Sequence, residues 1–202
     1  MSDKFTPQNK ILCVNGSPRK GGNTDIMLAH LVDSLPGLVP ANTVMLRGLD
    51  FSACTGCERC RKDRSCTGIT DGMNAVYPEV TGSLGLVLAS PVHNYNVTAL
   101  MKAFIDRLYC YYEFSSQRPG PWSSRLAGQN RKAAIIAVCE QRDRKDMGFT
   151  LEAMRMPLEA LGYEVIEELA VFGIFSRGAV RKDSHAMHRI EEIAHSMAGS
   201  VT

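Results

Sequence analysis

Four cysteines within thirteen residues are the feature of this sequence with the clearest chemical meaning: Cys54, Cys57, Cys60 and Cys66. The first three are spaced by three positions, and four thiolates at this density can surround one soft metal centre. The compact C-x2-C-x2-C spacing is typical of ligands to a [4Fe–4S] cluster, whereas structural zinc sites more often use two separated C-x2-C pairs. Zinc, free thiols and disulfides are the alternatives. The spacing therefore predicts a soft-metal site, with iron–sulfur as the preferred occupant.

A second candidate site is the turn that joins the first predicted strand to the first predicted helix. The run 16–24, Gly-Ser-Pro-Arg-Lys-Gly-Gly-Asn-Thr, combines glycines that allow close backbone approach with hydroxyl, amide and basic side chains. Unpaired N–H groups and the helix dipole make such a turn an anion site. It is neither a Walker A loop nor a G-x-G-x-x-G loop, and a generic βα turn is the alternative. The residues expected at a phosphate are Ser17, Arg19, Lys20, Gly22, Asn23 and Thr24.

Both candidate sites depend on an alternation of short strands and helices. Each predicted strand is followed by a segment with helical periodicity, except the second strand, which leads into the cysteine loop. The fifth predicted strand is more polar than the others, as expected at a sheet edge. This alternation predicts an α/β fold, and the strand lengths favour a flavodoxin-like, doubly wound, five-stranded parallel sheet of order 2-1-3-4-5. The predicted strands cover residues 11–14, 43–46, 84–89, 133–138 and 165–171.

The bulk composition indicates one ordinary globular domain over residues 1–202, with a cysteine loop at 51–70 and an insertion at about 113–130. A net charge of +2 argues against a nucleic-acid binder. The N-terminal residues lack an apolar signal region, and no segment has the length of a membrane span, so we expect a cytoplasmic protein that does not engage a membrane. Seven cysteines then suggest a reducing compartment, in which thiolates serve metals.

A third motif, Ser-Pro-Val-His-Asn-Tyr-Asn-Val at 90–97, follows the third predicted strand and precedes a helix at 100–107. Together with the run at 16–24, it resembles the phosphate loop and flavin loop of the flavodoxin-like NAD(P)H-dependent FMN reductases. The cysteine loop at 54–66 is similar to that of the iron–sulfur flavoprotein branch, in which C-x2-C-x2-C-x5-C holds a [4Fe–4S] cluster near FMN. The three motifs occur in the family's order and span most of residues 10–171.

The resemblance implies an FMN-dependent oxidoreductase that transfers electrons through FMN and a [4Fe–4S] cluster. It implies NAD(P)H or a ferredoxin-like protein as donor, a small molecule or protein as acceptor, and a homodimer or homotetramer. A non-catalytic electron carrier between protein partners and a cluster-free NAD(P)H:FMN or quinone reductase are the alternatives. No catalytic residue is assigned. The resemblance places the flavin ring at Pro91, Val92, His93, Asn94, Tyr95 and Asn96.

The sequence departs from the family pattern at three places. His93 stands where the family often has an aromatic residue, and one acidic residue instead of two precedes Met73. The loop after the fourth strand, residues 139–146, is charged where the family is commonly glycine-rich. This last departure concerns a third flavin-contacting loop and the substrate face beside it.

The remaining unusual residues have simpler interpretations. Three cysteines near predicted core elements are expected to be small buried side chains: Cys13, Cys110 and Cys139. An aromatic group at the start of the insertion is expected in the core or at a subunit interface, and covering a flavin of a neighbouring subunit is the alternative. Its members are Tyr109, Tyr111, Tyr112, Phe114 and Trp122.

Overall fold

Five parallel strands form the central sheet of this chain, for which a computed structural model describes residues 6–37 and 39–202. In spatial order the strands are β2, β1, β3, β6 and β7. Two short strands of a hairpin account for the gap in numbering, so the order confirms the predicted 2-1-3-4-5, with β7 at an edge. The sheet strands are β1 (Gln8–Asn15), β2 (Ala41–Met45), β3 (Ser83–Pro91), β6 (Lys132–Val138) and β7 (Glu164–Val171).

Helices cover both faces of the sheet, because successive side chains of a strand point to opposite faces. Leu12 and Val14 of β1 pack on the side of α3, α4 and α5, whereas Ile11 and Cys13 pack on the side of α1 and α6. The helices are α1 (Asn23–Asp33), α2 (Cys60–Asp63), α3 (Met73–Gly82), α4 (Ala99–Arg107), α5 (Thr150–Ala160) and α6 (Ser184–Val201). Short 3-10 turns lie at Leu46–Gly48, Leu108–Tyr111, Arg144–Met147 and Ala179–Lys182.

The structure adds two elements that the sequence did not predict. The cysteine loop contains the one-turn helix α2, and the insertion contains an antiparallel hairpin of β4 (Tyr112–Phe114) and β5 (Trp122–Ser124). Strands of three residues are too short to show an alternating pattern, which is why the segment resembled a loop. No helix in the described part of the chain is long and apolar enough to cross a membrane.

Candidate functional site

The loops that follow β1, β3, β6 and β7 surround one cavity of about 400 Å³ at the carboxyl edge of the sheet. This is the edge at which open parallel sheets bind ligands. Nine of the twelve residues predicted to contact a cofactor line it: Ser17, Arg19, Gly22, Asn23, Thr24, Pro91, Val92, His93 and Asn94. Lys20, Tyr95 and Asn96 lie in the same loops outside its lining, and Tyr95 borders a smaller neighbouring cavity.

The turn after β1 presents the start of α1 to this cavity. Gly22 occupies the N-cap position, and no side chain among residues 6–37 and 39–202 caps it. A Cβ atom on Gly22 would lie 3.1 Å from the Arg19 carbonyl oxygen and 3.5 Å from the Ser17 Oγ. The backbone can therefore approach a ligand closely here, and the first amides of the helix stay available to it. These features fit a phosphate group.

A hydrogen-bond network centred on Asp25 stabilises the turn after β1. Its carboxylate accepts two hydrogen bonds from Arg47, both 2.8 Å, one from the Asn15 side chain at 2.7 Å and one from the Gly21 N–H at 2.7 Å. Asn15 Oδ1 in turn accepts the Ser17 N–H at 2.8 Å. No sequence pattern pointed to Arg47, which is 22 residues from Asp25 and meets it through the packing of β2 beside β1.

The Asn23 side chain makes two hydrogen bonds within the protein. Its Nδ2 donates to the Ser176 carbonyl at 3.1 Å, and its Oδ1 accepts the Val180 N–H at 3.3 Å. Asn23 therefore ties α1 to the loop after β7, and it is also one of the residues that line the cavity.

The loop after β3 makes a tight turn beside the cavity. His93 and Asn96 exchange backbone hydrogen bonds of 2.8 and 3.1 Å. Asn94 and Tyr95 between them have positive φ angles of 50° and 64°, as in a type I′ turn. Asparagine tolerates this left-handed conformation better than most residues, which accounts for Asn94.

Thr98 joins the two loops, and sequence analysis missed it. Its Oγ1 accepts the Met101 N–H at 3.1 Å, which caps α4, and donates to the Gly16 carbonyl at 2.7 Å. A Cβ atom on Gly16 would lie 2.8 Å from Met101 Cβ, so only glycine permits this approach. The start of α4 is thereby fixed against the β1 turn.

The loops after β6 and β7 complete the lining. Glu140, in the charged loop after β6, lines the cavity. The loop after β7 contributes Ile174, Phe175 and Arg177 to the same lining. The Arg19 guanidinium stacks on the Phe175 ring, 4.9 Å from its centroid. Sequence analysis did not include the β7 loop, although the general rule that ligands bind at the carboxyl ends of parallel strands would have indicated it.

The four loop cysteines lie at the other end of α4, between β2 and α3. Cys54 and Cys57 are exposed, and Cys60 and Cys66 are half-buried. Burial and the neighbouring thiols of Cys66, Cys54 and Cys57 raise the pKa of Cys60, and hydrogen bonding to the Arg59 backbone lowers the pKa of Cys57. A Cβ atom on Gly68 would collide with the Cys57 sulfur, so Gly68 gives that thiol its room.

These thiols match a [4Fe–4S] cluster in chemistry and number. Within the described residues, no three His, Cys, Asp or Glu side chains are assembled around one metal position. The donor set nevertheless fits the cluster in chemistry and number.

Arg107, at the end of α4, clamps the two stems of the cysteine loop. Its guanidinium donates to the Ser52 carbonyl at 2.8 Å and to both Asp71 oxygens at 2.7 and 3.0 Å. Asp71 also accepts the Ser52 N–H at 2.9 Å. The neighbouring Asp106 accepts a hydrogen bond from Lys102 instead. The helix that starts at the cavity therefore ends on the cysteine loop.

The β4–β5 hairpin covers this loop. Arg61 stacks on Phe114, 4.0 Å from the ring centroid, Arg64 pairs with Glu113, and Arg118 pairs with Glu58 at 2.7 Å. The predicted aromatic group thus packs beside the cysteine loop of its own chain.

Replacing Asp71 with asparagine should lower stability at neutral pH and leave it nearly unchanged in acid. The Arg107 guanidinium holds the pKa of Asp71 below its usual range. A depressed folded-state pKa contributes stability above the unfolded value of about 3.9, and this contribution is lost as pH falls through the folded value. Loss of one partner of a buried pair costs about 3 kcal/mol, or about 6–12 °C in melting temperature for a chain of this size.

Melting curves of wild type and Asp71→Asn between pH 2.5 and 7 check this expectation. Asp106→Asn, on an exposed pair, should change the melting temperature by less than about 2 °C throughout. A wild-type advantage over Asp71→Asn that stayed constant down to the lowest pH would contradict the argument.

The chain is similar in sequence to one protein family and to several individual proteins. A family model described as NADPH-dependent FMN reductase matches residues 9–170. An iron–sulfur flavoprotein of Clostridioides difficile is 34% identical over 106 residues, which cover 51% of this chain and 47% of that protein. The match thus spans about half the length of that relative. An iron–sulfur flavoprotein of Methanosarcina thermophila is 25% identical over 189 residues, 93% of each chain.

Solved structures show the same fold at low identity. A flavone reductase superposes with a TM-score of 0.70 at 14% identity, covering 95% of this chain and 62% of the other. An FMN-dependent NADH-azoreductase of Bacillus anthracis, in complex with FMN, has a TM-score of 0.66 at 15% identity, covering 95% and 100%. At these identities the likeness concerns the fold alone.

Proposed function

We propose that this chain, which belongs to the NADPH-dependent FMN reductase family and is an FMN-dependent oxidoreductase, binds FMN in the cavity at the carboxyl edge of its sheet. The observation that carries the proposal is the start of α1, which opens into that cavity without a side-chain cap. A cavity of about 400 Å³ lies in the usual size range for cofactor sites.

In this proposal the FMN phosphate lies at the helix start. The amides of Asn23 and Thr24 and the Ser17 hydroxyl donate to it, and Arg19 supplies positive charge. Arg177, on the β7 loop, adds a second guanidinium to the lining. Lys20 lies in the same turn, outside the lining, and contributes to the positive field.

The flavin ring lies along the β3 loop, residues 91–96. The bound flavin supplies the redox chemistry, and the chain orients the ring and limits the access of water. His93 lines the cavity where the resemblance leads one to expect an aromatic side chain. The charged segment 140–146 borders the opening at which a nicotinamide donor would approach.

The same proposal assigns Cys54, Cys57, Cys60 and Cys66 as ligands of a [4Fe–4S] cluster, which supplies one-electron transfer when it is bound. Support comes from the donor set itself and from the names of the two relatives. Helix α4 links the two sites, since Thr98 fixes its start to the β1 turn and Arg107 fixes its end to the cysteine loop. A homodimer or homotetramer and a cytoplasmic location stay predictions.

A pair of glycine variants tests the FMN site. Purified wild type should be yellow and release about one FMN per chain, which HPLC measures, and it should oxidise NADPH or NADH with a quinone as acceptor. Gly22→Val should retain little FMN, because the added atoms meet the Arg19 carbonyl and fill the space before the helix. Gly48→Val is the control, since a Cβ atom there meets no atom within 4 Å.

Two results would count against this site. A colourless wild type that does not take up added FMN overturns the proposal as a whole. A Gly22→Val protein that keeps the FMN content of Gly48→Val shows that the phosphate lies elsewhere.

A further inference from the structure

Two arginines without a carboxylate partner line the cavity at the carboxyl edge of the sheet. Arg19 and Arg177 form an ion pair with no residue of 6–37 and 39–202. The family model ends at residue 170, so Arg177, in the loop after β7, lies beyond the match. Glu140 is the one carboxylate among the described residues that line the same cavity, and the unpaired positive charge therefore points to an anionic ligand.

Arg177 lies at the tip of a tight turn. The Ala179 N–H donates to the Ser176 carbonyl at 3.1 Å, which closes the turn. Gly178 has φ 79° and ψ 0°, the angles of the third residue of a type II turn, which favour glycine. A Cβ atom placed on Gly21 would lie 3.9 Å from Arg177 Cδ, so the arginine side chain lies beside the turn after β1.

Asn23 anchors this turn on both sides of Arg177. Its Nδ2 donates to the Ser176 carbonyl at 3.1 Å, and its Oδ1 accepts the Val180 N–H at 3.3 Å. Asn23 is 8% exposed and Val180 is fully buried, so water competes little for these hydrogen bonds. Because Ser176 and Val180 flank Arg177 in the chain, the two hydrogen bonds restrict where its guanidinium can lie.

We propose that Arg177 is a specificity-determining residue that binds the FMN phosphate, and that Asn23 is its positioning residue. The inference rests on the proposed FMN site and adds the loop after β7 as a segment that selects for the phosphate. A phosphate monoester carries a charge of about −1.5 to −2 at neutral pH and accepts paired hydrogen bonds from a guanidinium. Riboflavin has the same ring and ribityl chain without the phosphate, so Arg177 should favour FMN over riboflavin.

Titration of apoprotein with FMN and with riboflavin, followed by flavin fluorescence, tests the role of Arg177. Arg177→Gln should weaken FMN binding by about 10-fold and leave riboflavin binding within about twofold of wild type. Arg181→Gln is the matched control, since it removes the same charge from an exposed arginine of the next 3-10 turn that does not line this cavity. The control should bind both flavins as wild type does.

Asn23→Ala tests the positioning role, because it releases the turn and keeps the backbone N–H at the start of α1. On its own it should weaken FMN binding by about 3- to 10-fold. In the Arg177→Gln background it should have little further effect, since both changes remove the same contact to the phosphate. A merely structural loss at Asn23 would instead weaken FMN and riboflavin alike, in both backgrounds.

The possible results separate this inference from the FMN site on which it rests. Equal FMN affinity of Arg177→Gln and Arg181→Gln overturns the role of Arg177, and equal losses of FMN and riboflavin in Arg177→Gln overturn its assignment to the phosphate. Additive effects of Asn23→Ala and Arg177→Gln overturn the positioning role. A wild-type apoprotein that binds neither flavin overturns the proposed FMN site and this inference together.

Discussion

Serine in place of Cys57 should remove most of the iron from the anaerobically reconstituted protein and leave FMN bound. If the four loop cysteines hold one [4Fe–4S] cluster, wild type carries about four irons per chain and absorbs broadly near about 400 nm beyond the flavin bands. A serine hydroxyl is a poor substitute for a thiolate, so iron should fall below about one per chain. The FMN content should stay near one, because the phosphate turn follows β1 and the cysteine loop follows β2.

Cys13→Ala is the matched control for this experiment. Cys13 is fully buried in β1, and burial raises the pKa of its thiol to about 12, so it stays protonated and away from metals. Alanine keeps that core position apolar. Iron should be unchanged in Cys13→Ala, and metal analysis with acid-labile sulfide measures both variants. Equal iron in Cys57→Ser and wild type would exclude Cys57 as a ligand, and zinc in place of iron would identify a structural zinc loop.

The class of the fold could be predicted because it follows from local patterns. Each buried strand is a short apolar run, and each helix shows its own periodicity, so the alternation of elements is visible without any long-range information. The lining of the cavity follows from the same logic, since Ser17 and His93 come directly after strands whose carboxyl ends share one edge. Position in the topology was sufficient to bring these two loops together, and the family resemblance assigned the β3 loop to the flavin.

The hydrogen bonds and ion pairs that stabilise both candidate sites could not be predicted from local patterns. Arg47 meets Asp25 only because β2 lies beside β1, and Arg107 meets Asp71 across 36 residues of chain. The sequence alone does not indicate which carboxylate an arginine will pair with in the folded protein. The hydrogen bonds of Asn23 to the β7 loop likewise depend on packing, because the two segments are far apart in the sequence.

Replacing Asp25 with alanine should weaken FMN binding by about 10- to 100-fold. The carboxylate bonds to Arg47, Asn15 and the Gly21 N–H, and without it the turn has to be ordered when the ligand binds. One hydrogen bond to a charged group is worth about 1.5–3 kcal/mol, and about 1.4 kcal/mol is tenfold in affinity. Titration of apoprotein with FMN, followed by quenching of flavin fluorescence, measures the change. Asp33→Ala, at an exposed position in the last turn of the same helix, should bind as wild type does.

Asp25→Asn separates two opposing effects of this carboxylate. Its negative charge near an anionic ligand is unfavourable, and its hydrogen bonds to the turn are favourable. Arg47 lies 2.8 Å from both oxygens and largely neutralises the charge, so we expect the hydrogen bonds to dominate. Asparagine keeps an acceptor for one donor, and Asp25→Asn should therefore bind FMN between wild type and Asp25→Ala. Tighter binding by both variants than by wild type, most marked at low salt, would mean that charge repulsion outweighs the ordering of the turn.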